Sequence, residues 1–279
     1  MQFGVTMFAT DQVMRPDDLA RAAEERGFVS LYVPEHTHIP VSRRTPPPSG
    51  DAVLPDYYKR AFDPFVAMAM AAAATESLRV GTGICLVAQR DPIVTAKAVA
   101  SLDHLSGGRF VFGVGFGWNA DEIEDHGVEM RSRRDLAREH MLAMQRLWAD
   151  DVARFEGEHV HLPPSWSWPK PTQKPWPPVL IGGAAGPKLF AHVAEYADGW
   201  IPIGGAGVRE ALPQLHRAVE AAGRDPATVR VVPFGTIPDP GKLDYYASIG
   251  IDEVVLRVPS GGRDAVVPVL DDYSKLVET

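Results

Sequence analysis

Apolar and polar positions along this chain follow two rhythms that alternate. Short runs dominated by apolar residues at 3–8, 31–33, 78–87, 109–117, 178–183, 199–204, 230–237 and 253–258 have the length of β-strands. Stretches of helical character separate or follow them, at 16–25, 63–75, 90–105, 131–150, 186–197, 208–222, a short one after Pro240, and 264–276. Local chemistry agrees with these limits. Pro16 with two acidic residues behind it suits a helix start and Gly27 a helix end, while Leu136, Ala143, Met144 and Leu147 fall near one face of 131–150.

Strands that are apolar on both faces and alternate with helices pair in parallel. Eight such units predict an α/β chain closed into a (β/α)8 TIM barrel, with an open doubly wound sheet as the other arrangement. Residues 1–279 are read as one barrel domain, since such barrels run to about 250 residues. Two insertions interrupt the rhythm. Residues 34–60, after strand two, carry Arg43, Arg44, three consecutive prolines and the pair Tyr57-Tyr58; residues 151–178, before strand five, are dense in proline and tryptophan and read as irregular.

Strand four has a pattern of its own. Phe110, Phe112, Val114 and Phe116 alternate with Val111, Gly113, Gly115 and Gly117, so one face is bulky and the other nearly bare. A bare face either receives a flat ligand or admits tight packing. Gly107 and Gly108 suit the turn before this strand, and Asn119 is positioned to cap an acidic helix start at Asp121, Glu122 and Glu124.

Composition narrows the function. With 28 basic against 36 acidic residues the net charge is −8 and the basic residues are dispersed, which argues against a nucleic-acid or anionic-membrane partner. Cys85 stands alone, so neither an intrachain disulfide nor a cysteine-based zinc cluster can form. Met1 runs straight into the first strand without a signal-peptide pattern, and no run of about 18 apolar residues occurs, so the expected location is the cytoplasm.

In a barrel of this kind chemistry sits on the loops after the strands. The candidates are then Glu35, His36 and His38; Gly83 to Arg90, with Ile84 among them; Gly115, Gly117, Trp118 and Asn119; Gly182, Gly183 and Ala184 in the turn to Gly186; and Gly204 to Gly207. Glycine-rich segment 113–118 departs from the dinucleotide fingerprint, because its third glycine comes one residue early and Trp118 stands where a small residue is needed. The turn 182–186 joins a strand to a helix start, where backbone amides favour an anion or serve simple turn chemistry. His36-Thr37-His38 suggests a metal-dependent hydrolase, yet strands four to six end without the further ligands such a site requires, and His159 and His161 lack a third; no metal site is expected. No Gly-x-Ser-x-Gly or His-Glu-x-x-His segment occurs. Glu35-His36 is acid/base equipment: a histidine exchanges protons near neutral pH and a carboxylate orients it, although neighbours on an extended chain point to opposite sides.

Together these motifs resemble the luciferase-like monooxygenase superfamily, and within it the oxidoreductases that use the deazaflavin coenzyme F420. The resemblance is carried by Tyr32-Val33-Pro34-Glu35-His36, Arg79 to Ile84, Arg90-Asp91-Pro92, Leu102 to Arg109, Gly113 to Asn119, Lys174 to Gly183 and Ala197-Asp198-Gly199-Trp200. It implies a barrel holding a flavin-like tricycle at the C-terminal ends of its strands, with F420 as cofactor and FMN as the alternative. It further implies a cis peptide at Gly83-Ile84 supporting one ring face, a phosphate or tail at Gly182, Gly183 and Ala184, further cofactor-binding positions at Arg90, Gly115, Gly117, Trp118 and Asn119, and catalytic roles for His36 and Glu35. Trp118 stands where several deazaflavin dehydrogenases carry a glutamate. The expected reaction is hydride transfer to or from a small organic substrate, against an FMN-dependent monooxygenase or a cofactor carrier without chemistry of its own. The insertions are expected to wall the substrate side, through Tyr57, Tyr58, Trp166 and Trp168, and the resemblance favours a homodimer.

Overall fold

Proline and aspartate set the helix starts. In the computed structural model, which describes residues 1–47, 53–205 and 207–277, Pro64, Pro92 and Pro240 open helices whose first amides are accepted by Asp63, Asp91 and Asp239. Pro48 and the rest of 48–52, together with Ala206 in the segment after strand six, lie outside the described residues. In chain order the elements are β1 (Gln2–Thr6), α1 (Pro16–Glu24), β2 (Ser30–Val33), α2 (Pro64–Ala73), β3 (Arg79–Thr82), β4 (Cys85–Leu86), α3 (Pro92–Leu105), β5 (Phe110–Gly115), α4 (Ala120–Asp125) and α5 (Arg133–Ala149). They continue as β6 (Ala153–Glu156), β7 (His161–Ser165), β8 (Val179–Gly182), α6 (Pro187–Tyr196), β9 (Gly199–Ile201), α7 (Val208–Ala221), β10 (Arg230–Val231), β11 (Phe234–Thr236), α8 (Pro240–Ser248), β12 (Glu253–Arg257) and α9 (Arg263–Ser274).

The main sheet runs β10-β9-β8-β5-β3-β2-β1-β12-β11 with parallel pairing throughout. Since β10 and β11 are consecutive pieces of one strand, paired to β9 and β12 respectively, the sheet closes on itself as the expected eight-position barrel. Two expected strands are interrupted. The run 230–237 breaks at Val232-Pro233, where proline cannot donate to the ladder. The run 78–87 breaks at Gly83-Ile84, whose peptide is cis, and resumes as β4 beside β5. The second insertion is also more ordered than its composition suggests: β6 and β7 pair as an antiparallel hairpin. Glu139 of α5 binds that hairpin by accepting the amides of Glu158, His159 and Val160 at 2.7–2.9 Å. Burial opposes ionisation there, but the three N–H groups outweigh it and hold the carboxyl below the usual range.

Two apolar layers result. Outside the sheet, Phe110 and Phe112 of β5 pack towards the helices, Phe112 meeting Trp148 edge-on at 6.1 Å. Inside the barrel, Tyr32, Val111, Leu180, Ile201, Val232, Phe234 and Val255 form a second cluster with Ile84 at its margin. The small face of β5 thus points inward, and it is not bare. A side chain at Gly113 would meet the Thr82 carbonyl at 1.9 Å, and one at Gly115 would meet Ile84 Cδ1 at 2.3 Å. Tight packing therefore accounts for these two glycines. Arg109 opens the strand and clamps the end of α2, donating to the carbonyls of Ala72, Thr75 and Leu78 at 2.7–3.1 Å.

Burial pushes the Cys85 thiol well above its usual range, and the Glu35 carboxylate adds to the shift. A raised thiol holds its proton, so little thiolate forms at pH 8 in the folded chain. Iodoacetamide at pH 8 is expected to leave Cys85 unmodified in the native protein and to label it fully in denaturant, read by mass spectrometry.

Candidate active site

The C-terminal end of β2 delivers Glu35 and His36, and the two side chains go to different partners. Glu35 is buried; its carboxylate accepts the Leu86 amide at 2.7 Å and the Arg90 Nε at 2.6 Å, while Arg90 also reaches Asp63 at 2.6 Å and lies over the Phe65 ring. Burial works against the Arg90 charge, yet Glu35 and its neighbours overcome this and raise its pKa. These contacts tie the end of β2 to β4 and to the start of α3. Glu35 therefore meets Arg90 and a backbone amide, not His36.

His36 pairs with Glu122, its Nδ1 lying 2.8 Å from one carboxylate oxygen and 3.1 Å from the other. Both are buried, His36 at 8% and Glu122 at 1% exposure, so the pair sits at the inner edge of the barrel mouth. Glu122 lies in the first turn of α4, in the acidic run that the sequence reading assigned to a helix start. The signal that finds it is spacing: one turn into a helix brings residue 122 back over the end of the strand that precedes it. Asn119 stands at the N-cap position but makes no side-chain capping bond. Its amide is buried with both polar atoms unpartnered among the described residues, as is the amide of Gln89. Capping by Asn119 is thus not observed.

Aromatic rings enclose His36. Tyr58 is 5.1 Å away and Trp118 5.9 Å, the two rings meeting each other edge-on at 6.2 Å. Tyr57 stacks on Tyr58 at 5.2 Å, and Phe8 touches both tyrosines. The first insertion therefore supplies part of this wall. Trp166 and Trp168 of the second insertion are both exposed, and Lys170 lies over Trp168.

On the opposite flank Gly115 and Gly182 both face Ile84, where added side chains would come within 2.3 and 2.8 Å of it. These glycines make room for a half-buried isoleucine at the barrel mouth. Gly117 takes a φ of +73°, beside Gln89 and Ile123, and its carbonyl accepts from Arg133 at 3.4 Å. Gly183 is half-buried and Ala184 exposed before α6. Arg134 lies over Phe116, which contacts His192 of α6; neither Arg133 nor Arg134 has a carboxylate partner among the described residues. His38 pairs with Asp125 at the surface and His161 with Glu156, and no group of three His, Cys, Asp or Glu side chains among the described residues is placed to hold a metal. Nor is any helix among them long and apolar enough to cross a membrane.

A buried His–Glu pair beside aromatic side chains, after the C-terminal end of a strand of a parallel barrel, is a candidate site with groups able to exchange a proton. The chain belongs to the luciferase-like monooxygenase family, whose model matches residues 2–237. It is 44% identical to Uncharacterized protein Rv0953c of Mycobacterium tuberculosis over 95% of this chain and 94% of that one. It is 27% identical to the F420-dependent hydroxymycolic acid dehydrogenase of the same organism, over 91% of this chain and 65% of that protein. Among solved structures, an F420-dependent secondary alcohol dehydrogenase in complex with an F420-acetone adduct superposes with a TM-score of 0.77 at 19% identity, covering 100% and 99% of the two chains. The oxygenating constituent of 3,6-diketocamphane monooxygenase from Pseudomonas putida, in complex with FMN, gives 0.64 at 18% over 83% and 66%. Family and relatives together support an oxidoreductase.

Removing Glu35's charge leaves the largely buried Arg90 guanidinium with only the more exposed Asp63 as a carboxylate partner among the described residues. Glu35→Gln is expected to lower unfolding free energy by about 3 kcal/mol, measured by urea denaturation. A change below about 0.5 kcal/mol would show that Asp63 alone compensates Arg90.

Proposed function

We propose that this protein transfers a hydride between coenzyme F420 and a small organic substrate, with His36 handling the accompanying proton. The observation that carries the reading is the buried His36–Glu122 pair, together with the amides of Gln89 and Asn119, which have no partner among the described residues. Buried amides without partners are rare in folded chains, because each leaves donors and acceptors unpaired. Here they offer both, which suits the polar edge of a flavin-like ring. Ile84, backed by Gly115 and Gly182, offers an apolar bearing surface for its face. Gly183, Ala184 and the start of α6 suit an anionic group. The residues present fit the group.

When bound, the deazaflavin supplies a carbon that accepts or releases two electrons as a hydride. The chain's own work is to orient and to move a proton. Glu122 accepts from His36 Nδ1–H, which fixes the tautomer and leaves Nε2 to take a proton from a substrate hydroxyl or return one to a carbonyl oxygen. The aromatic wall excludes water from that exchange. Glu35 acts as a positioning residue in this reading, holding the Leu86 amide and Arg90, and Trp118 shapes the wall while Glu122 provides the carboxylate.

A homodimer is proposed as well. Helix α2 is apolar nearly all round, and its outer residues Val66 and Met70 lie exposed beside Ile93 and Val94 of α3.

His36→Ala is expected to lower kcat by about 10²–10⁴-fold while F420 affinity stays within about threefold, and Glu122→Gln to lower kcat with little change in KM. Titration with both cofactors checks the premise: tight F420 binding is expected, and tight FMN binding with none for F420 overturns it. Val66→Lys is expected to convert a dimer to monomer in sedimentation velocity.

A further inference from the structure

Between β4 and α3 the chain makes one short helical turn, Val87–Gln89. From the β2 side Glu35 fixes both of its ends, accepting the Leu86 amide before the turn at 2.7 Å and the Arg90 Nε after it at 2.6 Å. The back of the turn is held from α5. His140 is buried, and its Nδ1 lies 2.9 Å from the Val87 carbonyl oxygen, which also accepts the Arg90 amide at 3.3 Å and so closes the turn. A carbonyl only accepts, so Nδ1 carries the proton and donates it. Burial keeps the His140 pKa below the usual imidazole value although the Val87 bond opposes it, and at neutral pH the ring is a neutral donor. Helix α5 is otherwise packed by apolar residues such as Ala137, Met141 and Met144, so filling the core does not require an imidazole at 140.

The last residue of the turn is Gln89. Its amide is buried without a partner among the described residues and lies beside Gly117, where an added Cβ would come within 3.5 Å of Nε2. A glutamine on a loose turn finds water or backbone, whereas one on a fixed turn keeps its donors and its acceptor for a ligand. We propose that His140 is a positioning residue for the cofactor: by holding the Val87 carbonyl it fixes the turn that presents the Gln89 amide. This rests on the cofactor reading above, in which that amide meets the polar edge of the ring. Without the imidazole the Val87 carbonyl keeps only the longer bond from the Arg90 amide, the turn loosens, and Gln89 has to be ordered at the moment the ligand binds, which weakens binding.

Fluorescence titration of F420 tests this on wild type, His140→Leu, His140→Asn, Gln89→Ala and the double variant His140→Leu/Gln89→Ala. Asparagine carries an N–H donor at the place of Nδ1, and leucine carries none. His140→Leu is expected to weaken F420 binding about fivefold or more, and His140→Asn to stay within about twofold of wild type. Gln89→Ala is expected to weaken binding as well, and in that background the leucine change is expected to add less than about twofold, because its effect runs through the amide. A histidine that served stability alone would lower affinity by the same factor in both backgrounds. That result overturns the proposal, as does wild-type affinity in His140→Leu, or an asparagine variant that binds no better than the leucine one. Should His140→Leu not fold, His140→Gln, whose amide sits one bond further out, takes its place with the same outcomes. If wild type takes FMN and not F420, the proposed function falls and the same cycle read with FMN decides the role of His140; binding of neither overturns both.

Discussion

The arrangement depends on one carboxylate. Glu35 sits where β2 leaves the barrel, and its two oxygens join three separate pieces of chain: its own strand end, the Leu86 amide of β4 and the Arg90 guanidinium before α3. Neighbouring residues on extended chain face opposite ways. Anchoring Glu35 on one side presents His36 on the other, where Glu122 waits one turn into α4. The interrupted third strand and the histidine are thus set by the same contact.

Small residues act here as receivers of large ones. Gly113 accepts the Thr82 carbonyl, and Gly115 and Gly182 leave the volume that Ile84 fills. The glycine strand is consequently a moulded surface: its outer phenylalanines bind it to helices, and its inner face holds the isoleucine that borders the mouth. Family motifs without direct chemistry find physical roles in the same way. In the segment before β5, buried Asp103 accepts from the Gln173 backbone and side-chain amides at 3.0 and 2.6 Å, fastening the second insertion to the barrel. Arg109 holds the end of α2.

Electrostatics divide the mouth into two flanks. Around His36 ion pairs such as Arg44–Asp121 and Arg60–Asp11 line the rim, and aromatic rings stand against the histidine. Towards α6, Arg133 and Arg134 have no carboxylate partner among the described residues; Arg133 meets the Gly117 carbonyl and Arg134 lies over Phe116.

The sequence by itself determined the eight strand-helix units, the family, and the loops that carry the candidate site, because periodicity, proline and aspartate at helix starts, and glycine at turns act over a few residues. It also brought forward His36 and the Tyr57-Tyr58 pair. Tertiary structure decided the partners. Glu122 reads locally as one of several acids at a helix start, and only the path of the chain from β5 into α4 sets it against His36, 86 residues away. Asn119 reads locally as a cap, and only burial shows its amide unpartnered. The inner face of β5 reads as bare until the neighbouring strand fills it. Contacts between residues distant in sequence leave no mark in local pattern, since any of several acids or glycines satisfies the same local rule.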